Sequence, residues 1–395
     1  MSKKQNLAVV AALCGVFGLA GWAFYFHAFA GERGEDWMVY YNTVRAFYEG
    51  KIALIYDGQA LTDLLNARLG DYLAKPLPLH PWLYPPHYLL LLLPFGLLPF
   101  VVSGLLFVGL GFAGAVAACW RFARSKEQRL VYALSLLLCP ASAITFCIGQ
   151  NTFLTCALLV SGFGFMKQRP VLSGFLLGLL TYKPQLWLMV PVALIACRQW
   201  KVLAAAFATA IVMMALSVAV FGLQPWHDWI EIMTAPSALY DQWRIIARLN
   251  GQSVYTYATL FGAPVALANT AQAISALFAA ACVWWCYRRP MADDLRLAAL
   301  LAATMLAAPH VIDYDAVLLG IAATLFFLRA MEDGFRFGDT AIAVLIWASP
   351  LINPPSVFRI GLVTPFLIVI FLAWVMARGK RDAVQAEPRG ILSAV

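Results

Sequence analysis

Apolar runs long enough to cross a hydrocarbon core of about 30 Å, at ~1.5 Å per helical residue, recur along this whole chain. They lie at about 7–28, 88–119, 130–147, 150–166, 170–182, 185–197, 201–222, 264–287, 293–309, 314–330, 339–353 and 357–377. A spanning helix satisfies its own backbone, and continuous runs of this kind differ from the weak alternating segments of a closed barrel. With 62% hydrophobic and only 12% charged residues among 395, the chain falls outside the soluble range. The expected fold class is therefore an all-α polytopic membrane protein of about twelve spans, forming one integral membrane domain over residues 1–395. Two long loops interrupt it at about 29–87 and 223–263, and a tail follows from 378. The segments 170–182 and 185–197 read either as two short helices broken at Tyr182-Lys183-Pro184-Gln185 or as one kinked helix.

Basic residues arbitrate the orientation. With twelve spans and both ends inside, 19 of the 28 Lys and Arg residues fall on the cytoplasmic side, Arg121, Arg124, Arg288 and Arg289 among them. The net charge of +8 then reports membrane orientation and gives no support to nucleic-acid binding. This orientation puts the long loops on the extracytoplasmic face, and the expected location is a bacterial inner (plasma) membrane with those loops facing the periplasm or cell exterior. Lys3-Lys4, the apolar run and Ala28-Phe29-Ala30 before Gly31 resemble a secretory signal and its cleavage site. The run exceeds the usual h-region of roughly 7–15 residues, so retention is expected, and either outcome leaves Asp36 outside.

The eight cysteines fall in apolar spans and read as small buried hydrophobes. The chain has no CxxC pair, no HExxH, no Walker-type or Gly-rich nucleotide motif and no GxSxG. No cofactor is required by the sequence, and metal dependence stays open.

What remains is a set of polar interruptions that this topology gathers at the outer face. They are Glu35-Asp36, Tyr84-Pro85-Pro86-His87, Gly149-Gln150-Asn151, Tyr182 to Gln185, Gln252-Ser253, and Pro309-His310 through Asp313-Tyr314-Asp315. Ionisable groups at membrane depth are expensive, so their convergence on one side argues for a cavity that opens outward. Plainer readings exist for each. Two acids solvate a loop; a proline starts a helix; Gly149-Gln150-Asn151 makes a tight hairpin; Lys183 snorkels; Asp313 and Asp315 cap a helix or pair with arginine. The stretch GERGEDWMVYYNTVRAFYEG is polar and aromatic at roughly helical spacing, which predicts an organised loop near the bilayer. The 13 Trp and 15 Tyr read mostly as interfacial belt.

In order, these blocks resemble a known family. An Asp after the first span, then Tyr40-Tyr41 and an AFYEG…IYD stretch, is similar to the start of the glycosyltransferase family 87 domain. YPPHYLLLLLPFGLLP, GQNTFLTCALL, RPVLSGFLLGLLTYKPQLWLMVPV and PHVIDYDAVLL resemble its later blocks, so the similarity runs from about residue 30 to 320.

The resemblance implies a GT-C type membrane enzyme that takes a sugar, mannose in known members, from a polyprenyl-phosphate donor on the extracytoplasmic side. In GT-C enzymes an acid in the first outer loop is the general base, and the matching residue here is Asp36. Expected around the donor and a glycan or glycolipid acceptor are Glu35, Tyr40, Tyr41, His87, Gln150, Asn151, Lys183, Gln185, Arg244, Arg248, His310, Asp313 and Asp315. One carboxylate that removes the acceptor's proton suffices for direct displacement with inversion. Lys183, Arg244 and Arg248 are candidates to offset charge on the departing phosphate. A lipid or sugar transporter or flippase, which also uses broken helices, is the alternative, although no internal repeat joins the two halves.

Overall fold

The computed structural model describes residues 3–28, 30, 33–234, 251–352 and 363–386. Arg244 and Arg248 lie outside the described residues. Among those described there is no strand; one isolated antiparallel bridge joins Gly251 to Ile312.

The helices, in chain order, are α1 Lys3–Ala28, α2 Glu35–Tyr48, α3 Gly58–Leu69, α4 His87–Leu92, α5 Phe100–Cys119, α6 Lys126–Leu138 and α7 Pro140–Ile148. There follow α8 Thr152–Phe165, α9 Pro170–Leu179, α10 Pro184–Trp187, α11 Met189–Ala196, α12 Trp200–Phe221 and α13 Gln224–Thr234. The last group is α14 Val254–Leu260, α15 Val265–Arg288, α16 Asp293–Ala307, α17 Val317–Asp333, α18 Asp339–Trp347, α19 Ser349–Ile352 and α20 Val363–Ala386.

Among the described residues, five helical stretches are long and apolar enough to cross a membrane: Val9–Ala28, Phe100–Phe122, Trp200–Phe221, Val265–Arg288 and Asp313–Asp333. The pair α6 and α7 makes a sixth if counted as one span bent by 60°. Shorter apolar helices, such as Thr152–Phe165 and Pro170–Tyr182, complete the bundle. Burial sorts these elements. The stretch through α17 is 83% buried and forms the centre, whereas those of α1 and α12 are only 17% and 22% buried. The outer helices thus turn apolar side chains outward, Leu105, Ile211 and Leu277 among them. A helical membrane protein is the class that surface fits.

Proline chemistry redraws one expected boundary and accounts for another. The run read as one span over 88–119 is broken, because Pro99 holds Leu98 extended (φ −98°, ψ 159°) between a short 3-10 turn and α5. The segment around Lys183 is broken in the expected way, since Pro184 moves Lys183 out of the helical region (φ −117°, ψ 75°). Close helix approach relies on small residues. A Cβ on Gly178 of α9 would stand 2.5 Å from the Ala206 carbonyl oxygen of α12. The first long loop differs most from expectation. Its helix α2 is not a surface element; Trp37, Met38, Tyr40, Asn42, Thr43 and Val44 bury it in the body of the protein.

Candidate functional site

Three chain breaks meet at one end of the bundle, and the start of α2 is fixed among them. Gly34 takes a left-handed conformation (φ +80°), and its N–H donates to the Cys147 carbonyl at 2.8 Å, tying α2 to the last turn of α7. Trp37 then acts as a peg. Its ring stacks on Phe107 (centroids 4.7 Å apart, planes at 25°) and lies where a Cβ on Gly104 would stand 2.7 Å from Cδ1. On its other side is Gly149, with φ +75° and no room for a side chain, since a Cβ would lie 2.5 Å from Trp37 Cβ. Only glycine meets both demands cheaply. The peg leaves Asp36, one residue earlier, partly buried in the first turn of α2, where the helix dipole favours an anion.

Gln150 organises the polar groups around that carboxylate. Its Nε2 donates to Asp36 Oδ2 at 2.8 Å. Its Oε1 accepts from the Tyr40 hydroxyl, the Tyr84 hydroxyl (3.1 Å) and the Asn151 backbone N–H (2.7 Å). The two phenol oxygens are themselves 2.7 Å apart. With three donors on its oxygen, the amide can present only its NH₂ to Asp36, so its orientation is fixed. Around it, Trp82, Tyr88 and Tyr182 pack with Tyr40 and Tyr84, Tyr88 stacking on Tyr182 at 4.4 Å.

The second charged group is an ion pair. Lys183 Nζ lies 3.0 Å from Asp315 Oδ1, and both side chains are 3% exposed. Asp315 Oδ2 also accepts the Ile312 N–H at 3.3 Å, and the ammonium stands 5.3 Å from the Tyr314 ring centroid. The anionic partner that a buried Lys183 requires is therefore supplied by the protein itself. The pair lies within electrostatic reach of Asp36. Burial raises the Asp36 carboxyl from the usual 3.8 to about 7, while the Lys183 charge and the Gln150 hydrogen bond pull it back and the Asp315 charge pushes it up.

The other expected residues divide. Glu35 faces His80, with Oε2 3.9 Å from Nε2. Asp313 accepts the Tyr314 N–H at 2.9 Å, and His310 packs edge-on against Tyr255. His87 stacks on Trp226 (5.7 Å, 8°) with Nε2 3.3 Å from Thr181 Oγ1, on the Lys183 side of the cluster. Asn151 is buried where α8 begins. Tyr41 turns away, donating to the Leu98 carbonyl at 3.1 Å and packing edge-on to Phe100, as a structural residue would. Gln185, half-buried in α10, joins none of these hydrogen bonds. Tyr84, Tyr182 and Tyr314 are expected at the outer face as parts of polar interruptions but not as individual site residues, and Tyr88 is not expected there at all. The available signal was their place inside the polar interruptions YPPHY, TYKP and DYD.

One further buried group lies on the segment that pairs with Ile312, whose N–H Asp315 accepts. Gln252 is 2% exposed, its amide oxygen and nitrogen have no hydrogen-bond partner among the described residues, and its backbone N–H donates to the Val311 carbonyl at 2.8 Å. Buried amides without partners are rare and mark places where a ligand or water completes the bonding. Among the described residues, no three His, Cys, Asp or Glu side chains gather as metal ligands.

The family model for glycosyltransferase family 87 matches residues 82–309, more than half of the chain. No curated protein and no solved structure matches it.

Proposed function

The chain belongs to glycosyltransferase family 87, and is therefore a membrane glycosyltransferase; from that premise we propose that it transfers mannose from a polyprenyl-phosphate-linked donor to an extracytoplasmic glycan or glycolipid acceptor. Asp36 is the general base and the reaction inverts the sugar carbon. The observation that carries this reading is the pair of opposed charged groups. A carboxylate oriented by Gln150 lies within electrostatic reach of an ammonium anchored by Asp315.

In the proposed step the acceptor hydroxyl gives its proton to Asp36 as its oxygen bonds to the sugar's anomeric carbon. The bond from that carbon to the donor phosphate oxygen breaks, and polyprenyl phosphate departs. A carboxyl group near 7 suits this work, because it is half ionised at neutral pH and still basic enough to accept the proton. Asp315 is committed to Lys183, so a second, nucleophilic carboxylate is not part of the scheme. An ammonium has three N–H groups, and Asp315 takes one; the others are offered to the departing phosphate. Gln252 is the candidate for a sugar hydroxyl.

The test is incubation of the purified protein with a panel of labelled polyprenyl-phosphate sugars and envelope glycolipid acceptors, run beside Asp36→Asn. Transfer from the mannose donor should fall by at least roughly 10²-fold in the variant, which keeps the shape of the side chain and loses its basicity. Near-normal turnover by Asp36→Asn would remove that residue from the role. Failure of every polyprenyl-phosphate sugar to react would overturn the donor class.

A further inference from the structure

Two openings in the molecule lie away from the Asp36 end. α9 runs from Pro170 to Leu179 with Lys183 just beyond, and α16 runs from Asp293 to Ala307 toward His310. The starts of these helices therefore mark the opposite end of the bundle. There a cavity of about 440 Å³ is walled by Lys167, Arg198, Gln199, Tyr287, Arg288 and Arg296.

Charge in that wall is only partly compensated. Asp293 lies 2.7 Å from Lys167 Nζ and 3.4 Å from Arg296 Nη1, so it serves two cations at once. Arg198 and Arg288 have no acidic partner among the described residues. Arg198 is also held in an unusual conformation. It has φ +57°, the one non-glycine residue with positive φ among those described. The Gln199 N–H donates to the Leu194 carbonyl at 2.8 Å and the Arg198 N–H to the Ile195 carbonyl at 3.0 Å. That is the glycine position of a Schellman cap, filled here by an arginine. An L-residue is strained there, and strain of this kind is retained where the side chain serves a purpose.

The surroundings say what would bind. Trp200 is exposed one residue past Gln199, and Arg289 lies over the Trp285 ring at 4.7 Å, an arrangement of aromatics and arginines typical of the membrane interface. α15, which brings Tyr287 and Arg288 to the wall, and α12, which begins one residue past Gln199, turn exposed apolar side chains outward beside the cavity. We infer that this cavity binds the phosphate of an anionic phospholipid headgroup from the leaflet at this end, the one the basic-residue asymmetry assigns to the cytoplasm. Arg198 and Arg288 supply the phosphate contacts, and the acyl chains lie along the apolar faces beside the cavity. The inference does not depend on the transfer reaction proposed for the Asp36 end.

The full-length protein, purified in phosphatidylcholine nanodiscs, would be titrated with phosphatidylglycerol while binding is followed by native mass spectrometry and melting. Wild type should bind phosphatidylglycerol and melt higher. Arg288→Gln should lower the apparent affinity roughly fivefold, the value of one cation at such a surface. Arg198→Gly should lower it similarly while melting no lower than wild type without phosphatidylglycerol, because glycine relieves the left-handed strain. An equal phosphatidylglycerol response in wild type and both variants overturns the site. If inorganic phosphate at matched concentration reproduces the wild-type shift, the ligand is a soluble anion and the lipid assignment is overturned.

Discussion

Gln150 donates its side-chain amide to Asp36 across 2.8 Å, joining two residues 114 positions apart in the chain. Because this bond and the Lys183 charge favour the ionised carboxylate while burial opposes it, Asp36 should titrate near 7. A base works only when deprotonated, so transfer should rise with pH through about 7 and level off above it. Gln150→Leu removes the stabilising donor, and the rising limb should move to higher pH. A pH profile of kcat/KM for both proteins checks this, and an unmoved limb would separate Gln150 from the carboxylate's titration.

The same shift makes a stability prediction with a definite sign. Asp36 binds its proton more tightly folded, near 7, than unfolded, near 3.8. Its contribution is therefore most favourable below about pH 4 and is lost as pH rises to about 7. Asp36→Asn should melt above the wild type at pH 8, and the gap should close as pH falls toward 4. Melting curves of the two proteins across that range decide it.

Trp37 and Gly149 make a mechanical prediction. Gly50 and Gly149 both have positive φ, yet a Cβ on Gly50 meets nothing within 4 Å whereas one on Gly149 meets Trp37. Gly50→Ala should cost only the left-handed penalty, about 1–2 kcal/mol, with kcat retained. Gly149→Ala should cost more and also lower kcat, because relief requires moving the peg that holds Asp36. Equal kcat in the two variants would show that the placement of Asp36 does not depend on this contact.

Much of this site was legible because a membrane makes polarity conspicuous. Glu35-Asp36, Gly149-Gln150, Lys183-Pro184 and Asp313 to Asp315 each interrupt apolar text, and the fold brings Asp36, Gln150, Lys183 and Asp315 together. Partnership was harder to read. Lys183 and Asp315 are 132 residues apart, and nothing local to either names the other. Span boundaries were blurred for a related reason: between 88 and 119 composition stays apolar through the break, which depends on the geometry of one Leu-Pro bond. The aromatic cluster was missed because tyrosine suits an interface and a buried hydrogen-bond network equally well by composition.

Orientation can be tested by labelling. The loop holding α3 and the start of α13 belong to the Asp36 end, whereas Glu127 and Arg289 flank helix ends on the opposite side. In a background without the eight native cysteines, single cysteines at Asp63 and His227, both exposed, should react with an impermeant thiol reagent added outside the cell. Cysteines at Glu127 and Arg289 should not. Outside labelling at Glu127 would reverse the orientation drawn from basic residues.

The last prediction separates the two duties of Lys183. With both partners 3% exposed, Lys183→Met strands the Asp315 carboxylate without its cation, a change that costs about 3–5 kcal/mol in buried pairs. Loss of activity in that variant alone would therefore say little about the donor. Lys183→Met combined with Asp315→Asn removes both charges and should recover most of the lost melting temperature. If the ammonium also contacts the donor phosphate, donor affinity should stay low in the double variant while acceptor affinity is kept. Lys183→Arg should keep part of the donor affinity, since charge persists although a planar fork replaces a point charge. Donor affinity and ligand-free melting measured on the same preparations distinguish the cases. Recovery of both in the double variant would mean that Lys183 holds Asp315 and nothing else.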